Sequence, residues 1–459
     1  MSTAQQHAEE IVRTLRQHGH QAYFAGGCVR DILLNREPAD YDVATDATPQ
    51  RVMQVFPQTY AVGEQFGVVL VPPAEDDEAT IARQSERSKQ AVEVATFRAD
   101  VGYSDGRHPD EVRFTKDPQE DAQRRDFTIN GMMLDPATNE ILDFVGGQDD
   151  LKKGIIRAIG DPNRRLEEDK LRMLRAVRFA ARFNYQIDPA TLNAIQNLAP
   201  KIHQVSAERM REELTKMLTE GQARRAFELL DQTKLLREVL PEVAAMKGVA
   251  QPPQYHPEGD VFIHTLLLLE QLHPDSNSNM ISKTLAWGAL LHDVGKPPTF
   301  RIAPDRIRFD GHVDVGVKMA AEILRRLRFS NHETDQILAL VDNHMRFGDV
   351  QRMKQSTLKK FLRLPAFDEH LELHRIDCLS SHGQLSTYEY AQQQLHSMPP
   401  EAIRPAPLIT GRDLIEAGYK PGPRFKEVLG AVEDAQLEGR LLSREEAMEF
   451  VQRDFPAEA

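Results

Sequence analysis

The sequence lacks the long apolar runs, paired cysteines and basic excess that mark several large classes of protein. No apolar run approaches the ~18 residues that a bilayer-crossing helix needs, so we expect no membrane partner. The first residues are polar and charged, unlike a secretory signal, and we expect a cytoplasmic location. The only two cysteines, Cys28 and Cys378, offer no disulfide framework and no thiolate metal site. The formal net charge of −13 argues against a generally basic surface but leaves RNA binding by local cation clusters open.

What is present begins with one stretch near the N-terminus. The apolar run Tyr23–Ala25 predicts a buried strand, and Gly26 and Gly27 then open a predicted helix. Glycines there let the backbone approach a bound group closely, and a helix N-terminus offers free N–H donors to a phosphate. Asp40 and Asp42 follow at the start of a second predicted strand. Alternate residues of a strand point to one face, so the two carboxylates can hold Mg²⁺ against a nucleoside triphosphate.

Each of these motifs alone is ordinary, because a Gly-Gly turn is usually only a turn and Asp-x-Asp is usually a solvated strand edge. In this order and spacing they resemble the signature of the nucleotidyltransferase superfamily that includes DNA polymerase β. The closer resemblance is to its class II branch, the CCA-adding tRNA nucleotidyltransferases and bacterial poly(A) polymerases. It implies that the two aspartates bind Mg²⁺ and that Gly26, Gly27 and Arg30 hold the triphosphate. It also implies a third carboxylate on an adjacent strand. Glu93, in the predicted strand Val92–Arg98, is the candidate, and a strand-edge glutamate is the alternative.

A second motif, QRRDFTIN at residues 123–130, resembles a defining motif of the class II family almost letter for letter. The resemblance implies that Arg125 contacts the incoming nucleotide, because an arginine fork bonds a triphosphate or a ribose in fixed geometry. Asp126 is expected to orient that arginine or the turn rather than to bind metal. The preceding loop, residues 105–109, matches the family's flexible loop, which helps the switch from C to A addition.

The run Leu166–Arg182 predicts one helix with two stripes, one of them apolar and suited to a core. The other carries Asp169, Arg172, Arg175 and Arg178 at spacings of three residues. Asp169 and Arg172 can present an acceptor and donors to cytosine or adenine, whereas guanine and uracil would face the aspartate with a carbonyl. The Glu-Asp-x-x-Arg pattern resembles the class II protein template. It implies base reading by this pair and nucleotide or phosphate contacts by Arg175 and Arg178; a solvated arginine face is the alternative.

The C-terminal half contains histidines and aspartates at the ends of successive apolar helices. Neutral imidazole and carboxylate groups suit divalent metals of the first transition row, such as Mn, Ni, Fe or Co. The order resembles the HD phosphohydrolase superfamily, and the resemblance implies a metal site formed by His264, His292, Asp293 and Asp377. It further implies that His312 and His344 hold a second metal or bind phosphate, and that Lys296 steadies a phosphate. For each histidine alone, a satisfied core residue is the alternative.

These motifs together predict an α+β protein with a small mixed or antiparallel-sheet head, followed by all-α neck, HD and tail regions. The length of 459 residues accommodates two to four domains. We expect the head at residues 1–155, the neck at 156–247, the HD region at 248–398 and the tail at 399–459. The polar segment 74–90 is expected to be a surface insertion.

The resemblance implies template-independent addition of CCA to the 3′ end of tRNA, from CTP and ATP, with Mg²⁺-dependent release of pyrophosphate. A poly(A) polymerase, or an enzyme that adds only the terminal A, shares nearly every motif described above. Two alternatives come from other classes. One is a metal-dependent HD phosphohydrolase whose N-terminal half binds RNA, and the other is an inactive RNA-binding scaffold.

Overall fold

The structure, a computed structural model, describes residues 3–61, 67–73, 91–102, 110–274 and 280–456. The loop of residues 105–109 and the expected insertion at 74–90 lie outside the described residues. The chain divides into two compact units, Met1–Val239 and Leu240–Ala459. Within the described ranges, no helix is both long enough and apolar enough to span a bilayer. The finer division into four domains stays a prediction.

The first unit is built on a seven-stranded sheet with the order β3-β4-β5-β2-β1-β8-β9. Its strands β2 and β5 pair in parallel, and the other neighbouring strands of the sheet pair antiparallel. Strands β6 and β7 form a separate hairpin, and β10 and β11 a short parallel pair. The strands of this unit are β1 (Ala22–Ala25), β2 (Asp42–Thr45), β3 (Tyr60–Ala61), β4 (Val68–Val71), β5 (Val92–Thr96), β6 (Arg98–Val101), β7 (Glu111–Phe114), β8 (Met133–Leu134), β9 (Ile141–Leu142), β10 (Ile155–Ile156) and β11 (Gln186–Ile187).

Helices flank this sheet and then continue the unit as an all-α region. The first helix packs on β1 and β2 and buries an apolar stripe that includes Ile11 and Leu15. The helices of the unit are α1 (Thr3–Gln17), α2 (Gly27–Leu33), α3 (Pro49–Val55), α4 (Pro118–Gln123), α5 (Gly147–Lys153), α6 (Pro162–Glu168), α7 (Leu171–Phe183), α8 (Pro189–Leu198), α9 (Ala207–Thr219), α10 (Ala223–Gln232) and α11 (Leu235–Val239). Short 3₁₀ turns occur at Thr128–Asn130 and Ala199–Gln204. The predicted α+β architecture is confirmed.

The predicted single helix Leu166–Arg182 is wrong in one respect, because the structure breaks it into α6 and α7. Asp169 has extended backbone angles, with φ −146° and ψ 107°, and its carboxylate accepts the N–H of Leu171 at 3.1 Å. A short acidic side chain often offers such a local bond in place of the helical ladder. The apolar stripe beyond the break is buried as predicted, with Leu174 and Val177 both 0% exposed.

The helix α9 is pinned to α7 by a buried ion pair. Arg178 Nε donates to Glu213 Oε2 at 2.7 Å, and both side chains are nearly inaccessible to solvent. Glu220 lies 3.5 Å from the same guanidinium and accepts from Arg182 as well. Two buried opposite charges hold each other in one geometry, because either charge alone would be poorly solvated there. This pair therefore sets the register of α9 along α7.

Over residues 240–274 and 280–456, the regular structure of the second unit is helical apart from one small hairpin of β12 (Arg301–Ile302) and β13 (Ile307–Arg308). Its last residues, from 408 onward, form their own apolar cluster around Leu414 and Val432. A 3₁₀ segment covers His344–Arg352. The helices of this unit are α12 (Pro241–Ala244), α13 (Val261–Glu270), α14 (Lys283–Leu291), α15 (Lys296–Thr299), α16 (His312–Arg326), α17 (Asn331–Asn343), α18 (Gln355–Leu362), α19 (Phe367–Ser380), α20 (Ser386–Ser397), α21 (Pro400–Ile403), α22 (Gly411–Glu416), α23 (Arg424–Leu437) and α24 (Arg444–Asp454).

The Glu213→Ala substitution tests whether the buried pair holds α9. We expect it to lower the free energy of opening of α7 and α9 by up to about 3–5 kcal/mol, because the buried Arg178 would keep only its longer contact with Glu220. Native-state hydrogen exchange of peptides from these two helices measures that opening without involving the second unit. Glu212→Ala, an exposed glutamate on the same helix, is the control and should change it by less than about 0.5 kcal/mol. Equal effects of the two substitutions would contradict this role.

Candidate active site

Three predicted site residues of the first unit meet at one cleft. A Cβ atom built on Gly26 would lie 2.9 Å from Arg125 Nη1 and 3.8 Å from Asp42 Oδ2. Gly26 has φ +75°, which side-chain-bearing residues rarely adopt, and it caps the N-terminus of α2. The glycine is therefore required both by its backbone angle and by the close approach of an acidic and a basic group from other elements.

The acidic part of this cleft comes from neighbouring strands. Asp42 begins β2 and is the register partner of Glu93 on β5, so the expected third carboxylate does lie beside the second. Asp40 is exposed in the bend just before β2 rather than on the strand itself. Burial raises the pKa of Asp42 to about 7, and the charges of Glu93 and Asp40 add to this rise while Arg125 opposes it. Glu93 is an exposed residue of β5, and partial desolvation together with the charge of Asp40 raises its pKa.

Carboxylates that repel one another when no ion is bound are typical of a binding site for a divalent cation. Carboxylate oxygens are the ligands that Mg²⁺ prefers, and such an ion would return the acidic groups to their charged form. The residues present therefore fit a divalent ion held by Asp42 and Glu93, with Asp40 close enough to influence both. Which ion binds, and through which oxygens, stays a prediction.

The segment 124–126 connects this cleft to the helix α7. The buried Asp121 holds Arg125, with Nη2 at 3.1 Å from Oδ2, and also Arg124 at 2.7 Å. The next residue, Asp126, accepts both Nε and Nη2 of Arg175, at 2.8 and 2.7 Å. Burial alone would raise the pKa of Asp126, but the charges of Arg175 and Arg172 outweigh burial and hold the pKa at about 2.

Asp126 also accepts the N–H of Phe127 and an amide N–H of Asn130, at 2.8 and 3.2 Å. The expectation that it orients the turn thus agrees with the structure, whereas Asp121, which sequence reasoning missed, is the residue that orients Arg125. No pattern in the sequence pointed to Asp121, because an acidic residue on the short helix α4 has no distinctive spacing.

Two predicted nucleotide-binding arginines have their guanidinium groups in the protein interior. Arg30 is 4% exposed, donates to Asp31 at 2.9 Å and to Asn130 at 2.7 Å, and stacks over the Phe183 ring. Arg178 is 6% exposed and bound to Glu213, as described above. These contacts assign both arginines packing roles, and their direct contact with a nucleotide stays a prediction.

The expected base-reading pair lies at the junction of α6 and α7, and each member has its own partner. Arg172 Nη1 donates to Glu168 Oε2 and to the carbonyl of Arg165, both at 2.8 Å, and its Nη2 lies 3.4 Å from the carbonyl of Arg124. The Asp169 carboxylate accepts from Arg209 on α9, at 2.7 and 3.2 Å. Arg172 thus contacts the backbone of the residue next to Arg125, and base reading by Asp169 and Arg172 stays a prediction.

The second unit gathers the predicted metal ligands together with two residues that sequence reasoning missed. In the described part of the chain, three groups of three residues each offer ligand atoms within 4.8 Å of one another. They are His264 with His292 and Asp377; Asp293 with His312 and His344; and His256 with Glu258 and His264. His256 and Glu258 were missed because they lie in the segment 248–259, whose glycines and prolines were interpreted only as a domain boundary.

Asp293 lies between the first two of these groups. Its Oδ2 is 3.1 Å from His292 Nε2 and 2.7 Å from Lys296 Nζ, while its Oδ1 is 3.8 Å from the Nε2 atoms of both His312 and His344. The sequence prediction grouped Asp293 with His264, His292 and Asp377 only. In the structure it faces both sets, because its two oxygens point in different directions from the end of α14.

The protonation of these histidines suits metal binding. The Nδ1 atoms of His292, His312 and His344 lie 2.7–2.9 Å from backbone carbonyls, which only accept, so Nδ1 carries the proton. Their buried Nε2 atoms make no hydrogen bond among the described residues and present lone pairs to the site. Burial lowers the pKa of His344 to about 4, which keeps it neutral. The residues therefore fit a divalent metal.

His264 differs from the other histidines because it has a carboxylate at each ring nitrogen. Its Nδ1 is 2.8 Å from Glu258 Oε1 and its Nε2 is 3.1 Å from Asp377 Oδ1. Burial alone would lower the pKa of His264, but Asp377 and Glu258 outweigh it and raise the pKa to about 9. Glu258 fixes the orientation of the ring through Nδ1. Nε2, on the Asp377 side, is therefore the atom that would exchange its proton for a metal ion.

Three family models match the chain. The Poly A polymerase head domain matches residues 22–157, the probable RNA and SrmB-binding site of polymerase A matches residues 184–247, and the HD domain matches residues 261–376. These ranges contain, in turn, the acidic cleft, the helices that follow α7, and His264, His292, Asp293, His312 and His344 of the second unit, whereas His256, Glu258 and Asp377 lie just outside the third range.

Relatives cover nearly the whole chain. The CCA-adding enzyme of Leuconostoc mesenteroides subsp. mesenteroides is 31% identical over 451 residues, which are 98% of this chain and 96% of the relative. The chain belongs to the CCA-adding enzyme family. The Lactobacillus helveticus CCA-adding enzyme is 30% identical over 443 residues, or 96% and 95% of the two chains. The Geobacillus sp. (strain WCH70) CCA-adding enzyme is 43% identical over a shorter stretch of 230 residues, about half of each chain.

Solved structures of CCA-adding enzymes share the fold. The crystal structure of the Bacillus stearothermophilus CCA-adding enzyme in complex with CTP has a TM-score of 0.72 at 27% identity, over 99% of this chain and 98% of that one. The Thermotoga maritima CCA-adding enzyme complexed with tRNA_CCA has a TM-score of 0.55 at 17% identity, which shows the common fold alone. The family membership predicted from the motifs is therefore confirmed.

The Gly26→Ala substitution tests the close approach at the cleft. We expect nucleoside triphosphate binding to weaken by on the order of 10- to 100-fold, since the new methyl group would displace Arg125 or Asp42 from its position. Gly19→Ala is the matched control, because Gly19 also has a positive φ but has nothing within 4 Å of an added Cβ. Both variants are expected to lose folding stability, because alanine is strained at a positive φ. Calorimetric titration with CTP measures nucleotide affinity separately from that loss. Equal affinities would contradict the role assigned to Gly26.

The His292→Ala substitution tests the metal centre of the second unit. After the protein is loaded with Mn²⁺ or Ni²⁺ and desalted, we expect its bound metal to fall by about one ion per chain, because a buried ligand is removed. His332→Ala, an exposed histidine on α17, is the control and should retain the ion. Elemental analysis by mass spectrometry measures the content, and unchanged metal in His292→Ala would exclude this assignment.

Proposed function

We propose that this chain adds CCA to the 3′ end of tRNA from CTP and ATP, without a nucleic-acid template. The observation that carries the proposal is the segment 124–126, which joins the two halves of the chemistry. On one side Arg125 approaches Gly26 and Asp42, and on the other side Asp126 and the carbonyl of Arg124 contact Arg175 and Arg172. Family membership agrees with this reaction and names the nucleotide donors and the acceptor.

The acidic cleft is assigned the transfer itself. Divalent ions, when bound, would neutralise the triphosphate and acidify the attacking 3′-hydroxyl. Asp42 and Glu93 would hold them. A bound cation would offset the repulsion between the two ionised carboxylates, which is unfavourable in the site without an ion. Arg125, kept in place by Asp121, presents a fixed positive group to phosphate oxygens at the same cleft. Mg²⁺ is the ion we propose, because oxygen-only ligands suit it.

The junction of α6 and α7 is assigned the choice of base. Asp169 accepts hydrogen bonds only, so it pairs with the exocyclic amino group of cytosine or adenine. Arg172 donates only, so it pairs with the adjacent ring nitrogen or carbonyl. Uracil and guanine place a carbonyl opposite the carboxylate and would leave two acceptors facing each other, which is costly in a site shielded from water.

We further propose that the second unit is a metal-dependent phosphohydrolase acting on phosphate-bearing RNA ends, with Mn, Ni, Fe or Co as its metal. A cavity of about 400 Å³ adjoins the histidine groups, and its lining includes Lys296, Arg306, Arg308, His312 and Asp377. Basic groups beside a site of imidazoles and carboxylates attract a phosphate to the metal ligands. A metal bound there would polarise a phosphate and activate water. The cytoplasmic location expected for tRNA processing stays a prediction.

The transfer proposal is tested with tRNAs that end before CCA, after the first C, or after CC. We expect CTP to extend the first two and ATP to extend the third. The alternative retained from the sequence, a poly(A) polymerase or an A-adding enzyme, predicts ATP incorporation alone or long A tails on any RNA. Either of those results would overturn CCA addition.

Two substitutions separate the proposed activities. Asp42→Ala should reduce nucleotide addition by about 100-fold or more, because it removes a carboxylate of the acidic cleft, and should leave phosphate release from RNA ends unchanged. His292→Ala should do the reverse. Loss of both activities in one variant, despite a native circular dichroism spectrum, would contradict two separate sites. Loss of phosphate release in His292→Ala, with no nucleotide addition for Asp42→Ala to remove, would favour the HD phosphohydrolase alternative.

A further inference from the structure

A short loop of the second unit carries an aromatic ring beside the metal ligands. The loop, residues 251–259, is closed at its base because the N–H of Gln251 donates to the carbonyl of Gly259 at 2.9 Å. Tyr255 lies in the middle of the loop, and its own N–H donates to the carbonyl of Pro252 at 3.1 Å. A loop whose ends are joined in this way holds its central residues in a defined place.

Two side chains of this loop point inward and fix it to the metal site. Gln251, which is 1% exposed, accepts from Lys296 Nζ at 2.7 Å, and the same ammonium group lies 2.7 Å from Asp293 Oδ2. Glu258 holds Nδ1 of His264 at 2.8 Å. Both contacts are buried, so the loop cannot move away from the metal site without leaving polar groups unpaired. The middle of the loop is therefore held at a constant distance from the site.

The middle of the loop, by contrast, is open to solvent. Tyr255 is 52% exposed, and its ring stacks on no other ring in the described part of the chain. Met345, which directly follows His344, is 55% exposed. A single exposed apolar side chain is ordinary in a folded protein. These two, however, line the same cavity of about 400 Å³ that adjoins the histidine groups, and they give a polar cavity an apolar wall.

Another wall of the cavity is cationic. Arg306 and Arg308 of the β12–β13 hairpin line it together with Lys296. Two carboxylates line the cavity as well, and neither neutralises this wall completely. Asp377 is a predicted metal ligand, and Asp310 accepts at 3.1 Å from an arginine that does not line the cavity. The cavity therefore combines an apolar wall with a wall that attracts anions.

A nucleotide is the ligand that fits these two walls. Its base has two flat faces, which stack on aromatic side chains, and its phosphate is bound by guanidinium and ammonium groups. Cavities that hold small ligands range from roughly 300 to 1,000 Å³, so this one has room for one nucleotide and not for a duplex. An inorganic phosphate or a phosphorylated protein side chain would leave the apolar wall in contact with water.

We propose that this cavity binds the terminal nucleotide of a single-stranded RNA end, with its base against Tyr255 and Met345 and its phosphate toward the metal ligands. The inference rests on the phosphohydrolase activity proposed for the second unit and names what that site recognises. Every base offers a flat face, so stacking on Tyr255 selects for the presence of a base and not for its identity. A base within a duplex is paired and stacked, and so it does not enter. The two residues thus restrict phosphate release to unpaired ends.

The test uses a trinucleotide RNA with a 3′-phosphate and the same molecule whose last nucleotide lacks its base. Protein loaded with Mn²⁺ or Ni²⁺ should release phosphate from the complete RNA with the higher kcat/KM. In Tyr255→Ala we expect the ratio of the two kcat/KM values to fall by about 10- to 100-fold, which corresponds to one lost base–aromatic stack. Tyr255→Phe keeps the ring and should keep the ratio. Ile415→Ala removes an apolar side chain that is also 52% exposed but lies outside the cavity, and it should leave the ratio unchanged.

A cross-linking measurement locates the base without requiring activity. The metal-free chain is irradiated with 4-thiouridine 3′-phosphate, and the attached peptide is identified by mass spectrometry. We expect attachment at Tyr255 or Met345, and a cross-link confined to the first unit would overturn the inference. An unchanged ratio in Tyr255→Ala, an equal loss in Tyr255→Phe, or equal phosphate release from a phosphoserine peptide would overturn it as well. Phosphate release from neither RNA would instead overturn the proposed phosphohydrolase, and the cross-link would then decide the base site alone.

Discussion

The ion pair between Asp126 and Arg175 is the interaction on which the arrangement of the first unit depends. It joins the strand-rich part of the unit, where the acidic cleft lies, to the helix α7. A carboxylate this deeply placed would be costly if unpaired, and its pKa of about 2 indicates how strongly the neighbouring arginines favour its charged form. The pair therefore fixes the position of α7 relative to the segment 124–126, because moving them apart would leave both charges without their partner.

The two candidate cation sites of the chain use different kinds of ligand. In the acidic cleft, desolvation and then the charges of neighbouring carboxylates raise the pKa of Asp42 and of Glu93, and Arg125 only partly opposes the rise. The second unit instead places three histidines around Asp293, with a backbone carbonyl at the Nδ1 atom of each. Hard oxygen ligands suit an ion that comes and goes with a triphosphate, whereas imidazole suits an ion that stays. The difference in ligands matches the difference in the proposed reactions.

Local patterns allowed much of the fold to be predicted. The strand before Gly26 and the buried face of α7 follow from the apolar run and from helical spacing, whereas Glu93 as the neighbour of Asp42 was implied by the family resemblance. The break at Asp169 was not predictable, because the residues around it favour a helix and the competing bond is made by one side chain. The buried partners Asp121, Glu213 and Arg209 were missed for a related reason. Long-range ion pairs leave no periodic trace in a sequence.

The predicted site residues likewise divide into those that meet at the site and those that support it from the protein interior. Residues in motifs were found together where expected, as with Gly26, Asp42 and Arg125. Arg30 and Arg178 lie in the same motifs but point into the protein, where they pack against Phe183 and pair with Glu213. A motif marks which residues a fold needs and does not separate those that touch a ligand from those that support the ones that do. Glu258, which fixes His264, shows the converse case of a supporting residue outside any motif.

One consequence of the sheet register concerns the position of Glu93 on β5. The strands β4 and β5 pair antiparallel from Val71 opposite Val92 to Val68 opposite Ala95, and β5 pairs in parallel with β2, where Glu93 is opposite Asp42. Successive side chains of a strand point to opposite faces of the sheet, so a slip of β5 by one residue would turn Glu93 to the other face and bring Val92 or Val94 opposite Asp42. The hydrogen bonds of the two neighbouring strands therefore fix the spacing of the carboxylates.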